Sequence, residues 1–388
     1  MPTASELDAI TLDQLRASGS VKWTAFGEAI GAFVAEMDFG TAPAVTRAAH
    51  EAVDRGLLGY LPDHATADLQ RAYTGFAKRR FGWSPDPERV RPVPDVLAAF
   101  EAVVRHLTPD GSPVILPTPA YMPFAPLLRD LGREVIEVPL ARDGGPLTHD
   151  LDGIDAAFAA GARLLVLVNP HNPTGRVFER DELEAVAAVV ERHGGRVFAD
   201  EIHAPLVYAG RAHVPYASVS AVAAGHAVTA TSASKAWNIP GLKAAQLILT
   251  DDDAAQVWRR AGVWTEHLTS TVGVLAHTAA YDDGEGWLAQ VLAYLDGNRR
   301  LTAEHLARHA PAVGHTPPEG TYLAWLDLRP LGLDQPARWL REHARVALTD
   351  GEDCGRAGAG HVRLTLATPR PVLRTLLSRV TDALGARA

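Results

Sequence analysis

Residues Leu164-Leu-Val-Leu-Val168 form an unbroken apolar run that Asn169-Pro-His-Asn-Pro-Thr-Gly175 ends abruptly. A short run with no polar alternation is the pattern of a strand covered on both faces, as in a parallel sheet lying between helices. Ser112–Leu116, Glu134–Val138, Arg196–Ala199, Val228–Ala230 and Gln246–Leu249 read as further strands. Between two of them Leu183, Val186, Ala187 and Val190 recur at helical spacing behind the acidic segment Glu179-Arg-Asp-Glu182, which marks a helix N-terminus. This alternation predicts an α/β fold with a mostly parallel sheet.

After about residue 275 the pattern changes. A long helical stretch from Gly286 to Ala310 precedes Gly320–Asp327, which alternates like a half-buried strand, and His361–Leu366 alternates in the same way. A smaller α+β unit is expected there. The 388 residues exceed what one core usually supports.

Asn172 falls just beyond the carboxyl end of the 164–168 run, and Arg196–Ala199 delivers Asp200-Glu-Ile-His203 in the same manner. Ligands of open parallel sheets bind beyond the carboxyl ends of the strands. A third segment, Thr231-Ser-Ala-Ser-Lys-Ala-Trp-Asn-Ile-Pro-Gly-Leu-Lys243, sets Lys235 behind two hydroxyls and ahead of a second cation. A lysine amine condenses with the aldehyde of pyridoxal phosphate, while hydroxyls, backbone amides and a cation hold a phosphate. Taken alone, the segment suggests no more than this, since a lysine after small polar residues is more often a solvated loop lysine.

The order Asn-Pro-x-Asn-Pro-Thr-Gly, Asp-Glu-Ile-His, Ser-x-Ser-Lys resembles fold-type I pyridoxal-phosphate enzymes of the class I/II aminotransferase superfamily. Lys22-Trp23, Val34-Ala-Glu-Met-Asp-Phe39, Gly59-Tyr60, Pro119-Ala-Tyr-Met-Pro-Phe124 and His361-Val-Arg-Leu-Thr-Leu-Ala-Thr-Pro-Arg370 resemble its MalY/PatB branch of cystathionine β-lyases. The resemblance runs from about residue 20 to the end. It implies a fold-type I α/β architecture with a seven-stranded type of sheet in a large domain, residues 45–275. A small α+β domain follows from it too, made of residues 1–44 and 276–388.

The resemblance also implies roles. Lys235 anchors pyridoxal 5′-phosphate and removes the substrate Cα proton, with burial lowering its pKa. Asp200 pairs with the protonated pyridine nitrogen, Tyr121 stacks on the ring, and Asn172 and His203 serve the 3′ oxygen. Ser232, Ser234, Lys243 and the backbone amides of Val96 and Leu97 serve the phosphate. Arg363 takes the substrate α-carboxylate, near which Asn172 also lies. Tyr60 crosses to the neighbouring subunit's phosphate, which makes the active unit a homodimer. Two positions depart from the branch pattern: Glu36 where relatives carry Asp, and Asp95 where a phosphate turn usually has small residues.

The expected reaction is β-elimination from cystathionine or a related cysteine S-conjugate. Amino-group transfer to a 2-oxo acid is the alternative, and a regulatory or binding role on the same scaffold is a third. Bulk properties narrow the partners. The formal charge of −9 argues against nucleic acid and anionic membrane surfaces. The one cysteine, Cys354, excludes an intramolecular disulfide, and no His-Glu-x-x-His or paired-cysteine spacing suggests a metal. With no signal-like N-terminus or membrane-length apolar stretch, a cytoplasmic location is expected.

Overall fold

The computed structural model describes residues 2–142 and 144–387. Its main sheet has seven strands: β1 (Val90–Val93), β2 (Val114–Thr118), β3 (Val135–Pro139), β4 (Leu164–Val168), β5 (Arg196–Asp200), β6 (Ala227–Thr231) and β7 (Ala245–Leu249). Their spatial order is β1-β7-β6-β5-β4-β2-β3. The neighbours from β6 through β3 run parallel, while β7 is antiparallel to both β6 and β1. The expected mostly parallel α/β sheet is therefore present.

Strand β4 shows why an unbroken apolar run is needed. Leu164, Val166 and Val168 pack into one hydrophobic cluster with helix Val96–His106, and Leu165 and Leu167 pack into another with helix Arg180–Arg192. Period-two geometry sends alternate residues to opposite layers, so a polar residue at any of the five positions would be buried. The same two-layer reading gives Leu183, Val186, Ala187 and Val190 as the buried stripe of the second helix.

Strand β1 has no counterpart in the sequence reading. Val90-Arg-Pro-Val93 is only four residues long and contains Pro92, which usually argues against a strand. It lies at the sheet's edge, where a residue without an N–H is tolerated. The strand expected over 320–327 begins only at Leu323, because Thr321 takes a left-handed φ of 62° that no strand accommodates.

A second, antiparallel sheet has the order Thr349–Asp350, His361–Thr365, Leu323–Asp327, Gly314–His315. Ile30–Gly31 pairs in parallel with Val346–Ala347 beside it. One cluster, including Leu15, Ile30, Leu306, Val362 and Leu377, draws only on the two ends of the chain. Another joins Met37 and Phe39 to Trp237, Val274 and Tyr322. The helix Glu285–His309 spans 25 residues and belongs to both, with Trp287, Leu288 and Val291 in the second cluster and Leu306 in the first.

Candidate active site

The carboxyl ends of β1, β2, β4, β5 and β6 point the same way, and the antiparallel β7 brings its first residue to that edge. The register pairs Val93 with Ala245 and Thr231 with Gln246. Lys243, just before β7, thereby reaches the place where Lys235 follows β6, Asp200 ends β5 and Asn172 follows β4. A cavity of about 410 Å3 opens there. Its lining includes Val96, Leu97, Tyr121, Asn172, Asp200 and His203, together with Ser232, Ser234, Lys235, Lys243 and Arg363. Of the residues the sequence singled out, only Tyr60 lies elsewhere: it is 83% exposed, its ring 5.0 Å from that of His267.

Lys235 and Asp200 oppose each other electrostatically. Burial lowers the Lys235 ammonium to about 8, Arg363 pushes the same way, and Glu36 and Asp200 resist. Burial raises the Asp200 carboxyl to about 7, against a hydrogen bond from the Ile202 amide at 3.1 Å. No cation lies within ion-pair distance of Asp200 among the described residues. A buried carboxylate in this condition favours a ligand that brings positive charge.

Arg363, on an inner strand of the second sheet, is 2% exposed. Its Nη1 donates to Asn172 Oδ1 at 2.9 Å and its Nη2 to the Phe33 carbonyl at 2.8 Å, with Met122 Sδ at 3.6 Å. Its Nε has no partner. A guanidinium steered this way and left with spare donors suits a bidentate carboxylate. Tyr121 also lines the cavity; burial raises its hydroxyl pKa, the Asp200 carboxylate raises it further, and Arg363 opposes them.

His203 is fully buried with both ring nitrogens unpartnered. Burial, then the Lys235 and Arg363 charges, hold it well below the usual histidine range, so the ring is neutral and offers one N–H donor. At the other end of the cavity Asp95 turns back as the N-cap of helix Val96–His106, its Oδ1 accepting from the Ala98 amide at 2.7 Å. Its Oδ2 pairs with Lys243 at 2.8 Å. Among the described residues the Val96 and Leu97 amides find no acceptor. Free first-turn amides favour an anion.

Ser232 and Ser234 differ. His277 Nδ1 lies 2.8 Å from the Gly273 carbonyl and must donate to it, which leaves Nε2 to accept from the Ser232 hydroxyl at 3.0 Å. Burial keeps His277 neutral, down at about 4. The Ser232 oxygen is also 2.8 Å from the Ala244 carbonyl and accepts the Ser234 amide at 3.0 Å. Its hydroxyl hydrogen is thus engaged within the chain, whereas the Ser234 hydroxyl has no partner among the described residues.

Sequence reasoning passed over His277, Tyr322 and the carbonyl-bearing segment 33–37. Tyr322 donates to the Ala35 carbonyl at 3.0 Å, and Lys235 Nζ donates to the same oxygen at 2.9 Å. The signal was present only as the motif Val34–Phe39, whose contribution at the site is backbone rather than side chain.

The residues present fit pyridoxal phosphate at each end. Two orphaned histidine nitrogens and an unpaired carboxylate surround the place for a ring, and two free helix amides face the place for a phosphate. Comparison with known proteins gives the same answer independently. Residues 32–380 match the model for aminotransferase class I and II. The chain is 37% identical to a cystathionine β-lyase of Corynebacterium glutamicum, covering 96% of this chain and 99% of that protein. It is 32% identical to the cystathionine β-lyase PatB of Bacillus subtilis, covering 94% and 97%. Among solved structures, a pyridoxal-phosphate-bound C–S lyase from Staphylococcus hominis superposes with a TM-score of 0.89 at 28% identity, over 97% of this chain and 99% of that one. A shared fold alone would leave the chemistry open, but the match extends through the strand ends that build the cavity, and the chain belongs to the class I and II aminotransferase family.

Proposed function

We propose that this chain is a pyridoxal-phosphate-dependent carbon–sulfur β-lyase that cleaves cystathionine or a related cysteine S-conjugate to a thiol, pyruvate and ammonia. The observation that carries this reading is the convergence of Lys235, Asp200 and Arg363 on one cavity, in a chain whose full-length relatives are named for that reaction.

Bound pyridoxal phosphate supplies an electron sink for the pair left at Cα, which lets a thiolate leave from Cβ. Arg363 binds the substrate α-carboxylate, with Asn172 and the Phe33 carbonyl fixing its direction. Lys235 would hold the cofactor's aldehyde carbon, and its free amine would take the substrate's Cα proton onto Nζ. A pKa of about 8 leaves a useful neutral fraction near neutrality. Asp200, as a carboxylate, would accept a hydrogen bond from the protonated pyridine nitrogen and so gain the cationic partner it lacks. Tyr121 would cover the ring, and His203 and Asn172 would serve its 3′ oxygen. Ser234, Lys243 and the Val96 and Leu97 amides hold the phosphate; Ser232 joins them only by turning away from His277. The released enamine takes up water to give pyruvate and ammonia.

A homodimer belongs to the same proposal. Tyr60, Leu58, Trp264 and Leu268 are 83%, 67%, 76% and 70% exposed, and the His267 ring adjoins those of both Tyr60 and Trp264. Apolar surface of this kind favours a partner, and Tyr60 then reaches the neighbour's phosphate. The cofactor-holding domain of residues 45–275, the smaller unit of residues 1–44 and 276–388, and a cytoplasmic location complete the reading. The helices are too short or too polar to cross a membrane among the described residues. Amino-group transfer to a 2-oxo acid is the second reading, favoured by the family description and by groups that serve both reactions up to loss of the Cα proton.

Incubation with L-cystathionine should yield pyruvate and a free thiol with no 2-oxo acid added as acceptor. Product that appears only when a 2-oxo acid is added, with no pyruvate, would reject the lyase. In Lys235→Ala the absorbance of the lysine-bound cofactor should vanish.

A further inference from the structure

Lys22 is 2% exposed and is not among the residues that line the cavity, yet it is bonded on three sides. Its Nζ pairs with Asp38 Oδ2 at 2.8 Å and donates to the carbonyls of Glu36 at 3.2 Å and Ala367 at 3.3 Å. Trp23 Nε1 donates to the other Asp38 oxygen at 2.8 Å, and the Asp38 amide donates to Ala367 at 3.0 Å. The far side of the segment is gripped by Asn238, whose side chain accepts from the Met37 amide at 2.8 Å and donates to the Met37 carbonyl at 2.9 Å. Both grips fall on residues 36–38, the carboxyl end of the strap Phe33–Met37, whose carbonyls are the partners of the working groups. Phe33 accepts from Arg363, Ala35 accepts from both Lys235 and Tyr322, and Val34 accepts from Thr365 at 3.0 Å.

Burying an ion pair is costly, and well-packed apolar residues usually serve stability as well or better. Here the charges are spent on backbone carbonyls of a segment without regular structure. We propose that the buried Lys22–Asp38 pair, acting with Asn238, is a positioning device that fixes the 33–37 strap and so aims Arg363 and Lys235 together. Neither residue touches substrate or cofactor. The device explains why Lys22-Trp23 and the Val34–Phe39 motif occur as a set: Lys22 and Trp23 hold Asp38 of the motif, and the residues before Asp38 are the strap. The proposal rests on Lys235 and Arg363 being the working groups, and not on which substrate they serve.

The test uses the dimeric holoenzyme carrying Lys22→Met, with Asn238→Gly as the second variant because glycine keeps the left-handed φ of 56° while losing every side-chain bond. In both, kcat should fall and KM for the amino acid should rise together, because one strap serves the amine and the guanidinium; a displacement of about 1 Å costs up to ~100-fold in kcat/KM. The visible circular dichroism of the bound cofactor and the rate of reductive methylation of Lys235 in the cofactor-free protein should both change. Neither readout depends on the substrate, so failure of the lyase reading leaves them interpretable. Unchanged dichroism and methylation, with kcat/KM within about twofold of wild type, in Asn238→Gly alone or in both, would overturn the proposal. If Lys22→Met does not fold, Asn238→Gly decides.

Discussion

Asp200 and Lys235 are strained in opposite directions by the same cause. Removal from water raises the carboxyl to about 7 and lowers the ammonium to about 8. Between pH 4 and 7 the folded cofactor-free protein holds a proton on Asp200 that the unfolded chain has released, so stability falls as pH rises through that window. Asp200→Asn should therefore raise the Tm of the cofactor-free protein at pH 8 and change it little at pH 4. With pyridoxal phosphate bound the order should reverse, since the asparagine offers no charge to the ring nitrogen. Scanning fluorimetry at the two pH values checks both; an equal gain at pH 4 and 8 would show that Asp200 is ionised throughout. These two residues were legible in the sequence because each follows a recognisable apolar strand. The Ala35 carbonyl that holds Lys235 was not, since every residue carries one and only the fold selects which is used.

Helix Val96–His106 shows how one element settles an apparent conflict. Asp95 looks misplaced beside a phosphate, yet as an N-cap it organises the first turn whose Val96 and Leu97 amides stay free. Its second oxygen holds Lys243, whose side chain is 60% exposed. Asp95→Asn keeps a good capping residue and removes the competing charge. It should tighten pyridoxal phosphate binding by up to about fivefold, in line with the ~1 kcal/mol ceiling of an exposed pair. Fluorescence titration of the cofactor-free protein measures this, and a weaker affinity would mean that Asp95 serves the site through its charge. Asp95→Ala should instead lose about 1 kcal/mol of stability. Strands β2 to β7 and the helix Arg180–Arg192 were readable because burial on two faces or one writes itself into spacing. Strand β1 was not, because an edge position lifts the very constraints that make a strand recognisable.

At the scale of the whole molecule, the cavity is closed by groups from both sheets: Arg363 from the second, Lys235, Asp200 and Asn172 from the first. Tyr60 faces outward from this assembly, so its place in the site depends on a second copy. Mixing inactive Tyr60→Ala with inactive Lys235→Ala should restore activity, because one site of the mixed dimer then has both residues intact. No recovery, with mixed dimers demonstrated, would leave Tyr60 outside the site. Sequence could name Tyr60 only through resemblance, since nothing in Gly59-Tyr60 tells which subunit it serves. The helix Glu285–His309 carries a thermal consequence. It is packed by its first turns in one cluster and by Leu306 in the other, so neither can melt while the other keeps the helix whole. Calorimetry of the cofactor-free protein should record one endotherm, and two separated ones would mean that the helix breaks between its two anchorages.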